Sequence, residues 1–266
     1  RSDTEQFVIL DRSFVLRKKV FLNLYNNKQL LLTYDSASEG TCDDVVNSII
    51  ARSLASCSSG GLNISMIDSE DMNGTSDILK RLNRSVFTIS VRPEDIRRRL
   101  DAIEQRIEGI IQNLLLSPIR TLADFNQTKQ AKEPYNLIVI KGFPLGFVGE
   151  SAYLLNKILR NGIRAGVNVI LMVDKQSLAR EDNSKQYDSI EWDTIKDCLV
   201  EYDFTATGIQ ASESKQEFER ISDSIFNSIV DYVNAGFEVK PEEIISIYDY
   251  LPPIQQWWSR KSASHL

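Results

Sequence analysis

The 266-residue chain sets 31 Lys and Arg against 37 Asp and Glu, a formal charge of −6, with 42% hydrophobic and 26% charged residues. It has one histidine, His265, and three cysteines, Cys42, Cys57 and Cys198, none at C-x-x-C spacing. That inventory excludes a Ser-His-Asp triad, a histidine-ligated zinc and a dithiol redox pair.

Scattered thiols fit a reducing compartment, so a cytoplasmic protein is expected. No apolar run approaches the ~20 residues of a membrane helix, and a chain without a signal peptide is expected. The first residue is Arg1 rather than methionine, as expected of a processed chain or a piece of a longer one. The negative balance argues against an autonomous nucleic-acid clamp.

Residues 8–11 and 20–24 read as edge strands or a hairpin cap, separated by Arg17-Lys18-Lys19. Residues 29–34, QLLLTY, form a continuous apolar run of the kind a strand buried on both faces requires. The following DSASEGT, 35–41, has loop chemistry. Asp43 and Asp44 then open a helix to about Ser56, with acids suited to the positive end of its dipole. Residues 62–68, LNISMID, predict a second strand running into an acidic loop. After Pro93, Ile96, Leu100, Ile103, Ile107, Ile110 and Leu114 recur at helical spacing, a stripe that faces the core or a coiled-coil partner.

Residues 135–140, YNLIVI, are the most strand-like run, followed by an amphipathic helix over 150–161. Gly162 stands where a helix C-cap often needs positive φ. Residues 167–173, VNVILMV, predict another buried strand. Residues 177–187 have no apolar period and are expected to be a mobile excursion. A late strand over 201–205 and a last helix over 217–234 follow. Apolar strands alternating with amphipathic helices require a mostly parallel sheet covered on both faces, an α/β fold.

Ligands of such sheets bind beyond the carboxyl ends of the strands. The loop after 29–34 has the anatomy of a phosphate loop, but G-x-x-x-x-G-K-[ST] needs a lysine for the phosphates and a hydroxyl for magnesium. The lysine is missing, and Asp43 and Asp44 would repel triphosphate charge. Asp68, Glu70 and Asp71 offer carboxylates of the kind that hold magnesium, or a solvated turn. An ATPase would place acids after 135–140, whereas this chain has Lys141-Gly142, and Lys141 reads as a strand-end surface residue. Arg17-Lys18-Lys19 and Arg97-Arg98-Arg99 are interspersed with acids and read as solvated faces. Trp257-Trp258 beside Pro252-Pro253 is expected either to dock on a neighbouring domain or to pack on this one.

Residues 160–174, RNGIRAGVNVILMVD, resemble a segment of the FtsK/SpoIIIE-type DNA translocase ATPases. There a helix ends in an Arg-Ala-x-Gly turn and enters a buried strand terminating in a Thr-Gln sensor; Arg164, Ala165 and Gly166 match the turn. The order of elements over about 28–260 is similar too. It places 29–34 at the Walker A strand, 135–140 at Walker B and 167–173 at the sensor strand. The resemblance is closest to bacterial multidomain members with tandem modules, where a long helical insertion precedes Walker B and a Pro-Pro, Trp-Trp linker leads into the next module.

The resemblance implies a RecA-like P-loop NTPase-type domain over 1–247, with a helical insertion at about 93–127 and a linker over 248–266. Walker A lacks its lysine, Walker B its acids, and the sensor pair is Val173-Asp174. A catalytically degenerate, ATPase-like module with a structural or regulatory role is therefore expected. Its vestigial nucleotide-binding positions are Ser38, Gly40, Thr41, Cys42, Lys141 and Asp174, and its interface residues are Arg164, Trp257 and Trp258. No catalytic residue or metal ligand is expected. ATP and magnesium would belong to intact neighbouring modules of the same polypeptide, and DNA or a translocated protein would be reached through the parent, itself open to membrane association. Two other readings stand beside it. One is an active hydrolase with an atypical site at Asp68, Glu70 and Asp71. The other is a Rossmann-like small-molecule protein, though G-x-G-x-x-G is absent from its strand–helix turns.

Overall fold

A strand apolar on both faces is stable only between two covering layers, and the computed structural model supplies both. It describes residues 7–13, 16–22, 28–58, 60–69, 77–128, 132–206, 208–211, 214–218 and 221–237. Its strands are β1 (Phe7–Ser13), β2 (Leu16–Leu22), β3 (Gln29–Tyr34), β4 (Leu62–Asp68), β5 (Phe87–Ser90), β6 (Tyr135–Lys141), β7 (Val167–Asp174), β8 (Leu199–Thr205), β9 (Gly208–Ala211) and β10 (Ser214–Phe218). Its helices are α1 (Glu39–Ser56), α2 (Asp77–Lys80), α3 (Pro93–Asn113), α4 (Leu122–Thr128), α5 (Ser151–Asn161), α6 (Glu181–Asp188), α7 (Trp192–Ile195) and α8 (Asp223–Ala235).

All strands join one sheet in the order β2-β1-β10-β9-β8-β3-β7-β6-β4-β5. From β8 to β5 every pairing is parallel; from β8 to β2 every pairing is antiparallel. Setting the short edge strand β5 aside, the parallel strands numbered along the chain run 5-1-4-3-2. This is the RecA-like α/β arrangement expected from the sequence. The central strand β7 separates β3 from β6, so the ends of β3 and β6 face each other across it.

Alternation along each strand assigns the two faces. Leu30, Leu32 and Tyr34 of β3, Leu137 and Val139 of β6, and Ile170 and Met172 of β7 pack with α1 and α8. Leu31, Ile138, Ile140, Val169, Leu171 and Val173 pack with α3 and α5. The stripe of α3 is therefore core-facing: Ile96, Leu100, Ile103, Ile107 and Ile110 are all buried. Lys157 of α5 holds Glu104 of α3 at 2.6 Å across the helix pair.

Several expectations change. Arg17-Lys18-Lys19 lies inside β2 and not between two strands, because β2 begins at Leu16, which pairs with Ser13 of β1. Helix α1 begins at Glu39, so residues 39–41 of the supposed loop belong to its first turn. Residues 177–187 form a 3-10 turn and most of α6, anchored where Tyr187 stacks on Trp192 with ring centroids 4.7 Å apart. The last helix starts at Asp223, because Ser214–Phe218 pairs as β10. Gly162 has φ −61° and needs its missing side chain for room, since a Cβ there would lie 2.5 Å from the Ile158 carbonyl oxygen. The left-handed residue is Gly166, φ +70°, which closes the 3-10 turn Ile163–Ala165 before β7. A Cβ on Gly166 would stand 2.4 Å from Leu122 Cδ2.

Candidate functional site

The carboxyl ends of the parallel strands bring together Tyr34, Asp68, Lys141, Asp174 and Asp203. Tyr34 pairs in register with Asp174, Asp68 with Lys141, and Thr33 with Asp203. The N-terminus of α1 sits over this edge, one tight turn beyond β3. In that turn the Ser38 N–H donates to Asp35 Oδ1 at 3.0 Å, and the Ser38 hydroxyl accepts from the Asp35 N–H at 3.0 Å. The same hydroxyl lies 2.8 Å from Asp35 Oδ1 and 3.0 Å from the Phe204 carbonyl of β8. The Ser38 hydroxyl, with backbone N–H groups, holds the Asp35 carboxyl below its ordinary range. The turn thus closes on its own carboxylate.

Counted from Asp35, Gly40 falls at the second glycine of a phosphate loop, Thr41 at its lysine and Cys42 at its magnesium-binding hydroxyl. Gly40 and Thr41 are exposed, and Cys42 is fully buried. Burial, followed by the charge of Asp43, pushes the Cys42 thiol far up. Burial also pushes up the Tyr34 hydroxyl, helped by the charges of Glu39 and Asp174.

Lys141 is where the sequence-based expectation fails. Its side chain is only 9% exposed, and Nζ donates to Asp43 Oδ2 at 2.8 Å and stands 3.3 Å from Glu39 Oε1. Burial pulls the ammonium down, but the hydrogen bond and charge of Asp43 and the charge of Glu39 outweigh it, and its pKa ends raised. Asp43 is raised as well: burial comes first, and repulsion from Glu39 and Asp68 adds to it against the pull of Lys141. At an effective dielectric near 20 such a contact is worth roughly 4 kcal/mol of attraction, set against several kcal/mol of desolvation. A lysine from the end of β6 therefore bridges to the acidic first turns of α1.

The loop after Lys141 turns inward. Phe143 and Phe147 are fully buried, their rings edge to face at 5.0 Å, and Ser69 donates to the Leu145 carbonyl at 2.8 Å. Asp174 accepts from the Gln176 and Ser177 N–H groups, both at 3.0 Å, and so caps the turn after β7. Asp203 accepts from the Thr33 hydroxyl at 2.7 Å and pairs with Lys175. Arg164 is exposed at the opposite, amino-terminal end of β7, away from this edge. Glu70, Asp71, Trp257 and Trp258 lie outside the described residues.

Of the sequence-predicted residues, Ser38, Gly40, Thr41, Cys42, Lys141 and Asp174 come to one edge; Glu39 and Asp43 are the partners that residue-type reasoning missed as partners. The signal was available: a helix opening with acids beside a strand end that exchanged acid for lysine.

No protein-family profile matches the chain, and no curated protein matches it in sequence. Solved structures do. The chain is similar to the TcpA conjugation coupling protein of pCW3 in its monomer form with ATPγS, at TM-score 0.58 and 14% identity over 86% of this chain and 70% of that one. It is similar to EssC (ATPases 2 and 3) from Geobacillus thermodenitrificans, at 0.62 and 11% over 94% and 50%. It is also similar to Thermomonospora curvata EccC (ATPases 2 and 3) in complex with a signal sequence peptide, at 0.61 and 11% over 90% and 48%. The chain spans about half of the EssC and EccC chains. At these identities the likeness is one of fold: an ATPase-domain fold found in multi-ATPase proteins.

Proposed function

We propose that this chain is a catalytically degenerate module of an FtsK/SpoIIIE-type translocase, acting as a structural or regulatory partner of intact ATPase modules in the same polypeptide. The observation that carries the reading is the Lys141 bridge to Asp43 and Glu39. A P-loop site presents a lysine on the helix side and an acid on the Walker B strand, with magnesium between hydroxyl and acid. Here the charges are exchanged. A triphosphate would meet Glu39 and Asp43, and magnesium would meet an ammonium. These residues do not fit ATP with its magnesium, and no hydrolytic step is assigned to them.

The fold likeness to multi-ATPase chains supports adjacent modules as partners. A conjugation coupling protein and a type VII secretion ATPase share the fold, which supports reading the parent's cargo as DNA or an exported protein. Among the described residues no helix is long and apolar enough to cross a membrane, which accords with a cytoplasmic module beside any membrane-associated parent. Calorimetric titration with ATP and magnesium tests the reading. No saturable heat is expected, and a micromolar dissociation constant would overturn it, as would a magnesium-dependent thermal shift.

A further inference from the structure

Helix α3 ends in a turn whose apolar side chains have no core to enter. Pro118 forbids further helix, and the chain reverses there: the Leu114 N–H donates to the Ile110 carbonyl at 2.9 Å and the Ile119 N–H to the Leu116 carbonyl at 2.8 Å. Ile110 and Leu122 are buried, but no residue from Ile111 to Thr121 is. Ile111, Leu114, Leu115, Leu116 and Ile119 all fall in that stretch, and Leu116 is 61% exposed. From Gly109 to Ala123 there is no acid, in a chain with 37 of them, and the one charged residue is Arg120. The acids on either side are engaged. Glu108 faces Lys157 of α5 at 3.8 Å, and Asp124 accepts from the Thr121 N–H at 3.0 Å and the Arg120 N–H at 3.3 Å at the start of α4. Arg164 is brought to the same end. It lies in the 3-10 turn that packs against α3, two residues before Gly166, whose lack of a Cβ leaves room for Leu122.

We propose that this turn is a peripheral contact for an anionic lipid bilayer, with Leu115, Leu116 and Ile119 entering the boundary between headgroups and acyl chains and Arg120 and Arg164 meeting lipid phosphates. Exposed aliphatic side chains with guanidinium groups beside them, and no acid among them, complement a surface that is apolar within and negative outside. A specific protein contact is built instead on aromatic anchors set in a broad patch, and the stretch from Gly109 to Ala123 holds no aromatic residue. The contact does not span: among the described residues no helix is long and apolar enough to cross a membrane. Two guanidinium groups and a few aliphatic side chains make the association weak and sensitive to salt.

Sedimentation of the full chain with lipid vesicles tests this. Vesicles of phosphatidylcholine with about three-tenths phosphatidylglycerol should retain at least about fivefold more protein than phosphatidylcholine alone, and the excess should vanish as salt rises from about 0.1 M to about 1 M. Leu116→Glu should reduce binding to the anionic vesicles at least about fivefold. It should leave the thermal midpoint unchanged, because the side chain is exposed. Arg120→Gln with Arg164→Gln should remove the preference for anionic lipid. Absence of binding to anionic vesicles overturns the proposal, as does equal binding to the two vesicle types. Binding that survives Leu116→Glu, or a lipid preference that survives the arginine pair, also overturns it, placing the contact on another part of the chain.

Discussion

Lys141 Nζ lies 2.8 Å from Asp43 Oδ2, joining residues 98 positions apart in the chain. The bond ties the end of β6 to the second turn of α1, over the edge where a P-loop protein would hold its nucleotide.

Because both partners are largely buried, removing one strands the other. Lys141→Met should lower the unfolding free energy by about 3–5 kcal/mol, since Asp43 and Glu39 lose their counter-charge. Asp43→Leu combined with Lys141→Met should recover most of that loss, a coupling that a double-mutant cycle in urea measures. Additive effects of the two substitutions would show that the pair carries no mutual stabilisation.

Alkaline stability follows from buried phenols. Burial pushes the Tyr202 hydroxyl from its ordinary 10.0 up to about 12. An acid whose folded value is raised contributes stability that is complete below its unfolded value and lost as pH rises to the folded one. Between pH 10 and about 12 this tyrosine should therefore remove about 1.4 kcal/mol per pH unit. Lys141, also raised, acts with the same sign above its own ordinary value. Denaturant melts across this range should show a shallower decline in Tyr202→Phe than in the unmodified chain.

Gly166→Ala should cost about 2–5 kcal/mol, part from the left-handed backbone and part from displacing Leu122. For a chain of this size that is a fall of roughly 5–15 °C in Tm. A thermal melt unchanged within a degree would mean that the turn before β7 adapts freely.

Binding of duplex DNA to this chain alone should be weak and indifferent to sequence. The net charge is −6, and Arg97 and Arg98 lie near acids, Arg97 at 3.7 Å from Glu150 and Arg98 at 3.3 Å from Asp95. Fluorescence anisotropy should show affinity fading steeply between 50 and 200 mM salt, as phosphate-only contacts require. Sequence-selective binding that persists at the higher salt would contradict this.

Strands β3, β6 and β7 were legible because each carries a nearly continuous apolar run with a helix nearby. Val169, Ile170, Leu171 and Met172 could hardly sit anywhere but the middle of a covered sheet. By contrast, β5 is four residues, FTIS, with only its two ends buried. GIQA and SKQEF of β9 and β10 are short and hold few apolar residues, so their pairing is a matter of backbone register, which periodicity does not report. The start of α8 was misplaced for the same reason. At the site, residue types indicated which groups a phosphate loop lacks. They did not reveal where Lys141 reaches, because that depends on β7 holding β3 and β6 one strand apart. The reading of Lys141 as a surface residue failed on a tertiary distance, not on a motif.

The turn from Asp35 to Ser38 bears on this corner as well. Its amide is already engaged by a carboxylate, and the cation beside it is already a lysine, so the protein furnishes both halves of the salt that a nucleotide and its metal would otherwise bring. A half-buried ion pair is screened little by salt, so the contact of Lys141 with Asp43 should hold its geometry as solute concentrations rise and fall.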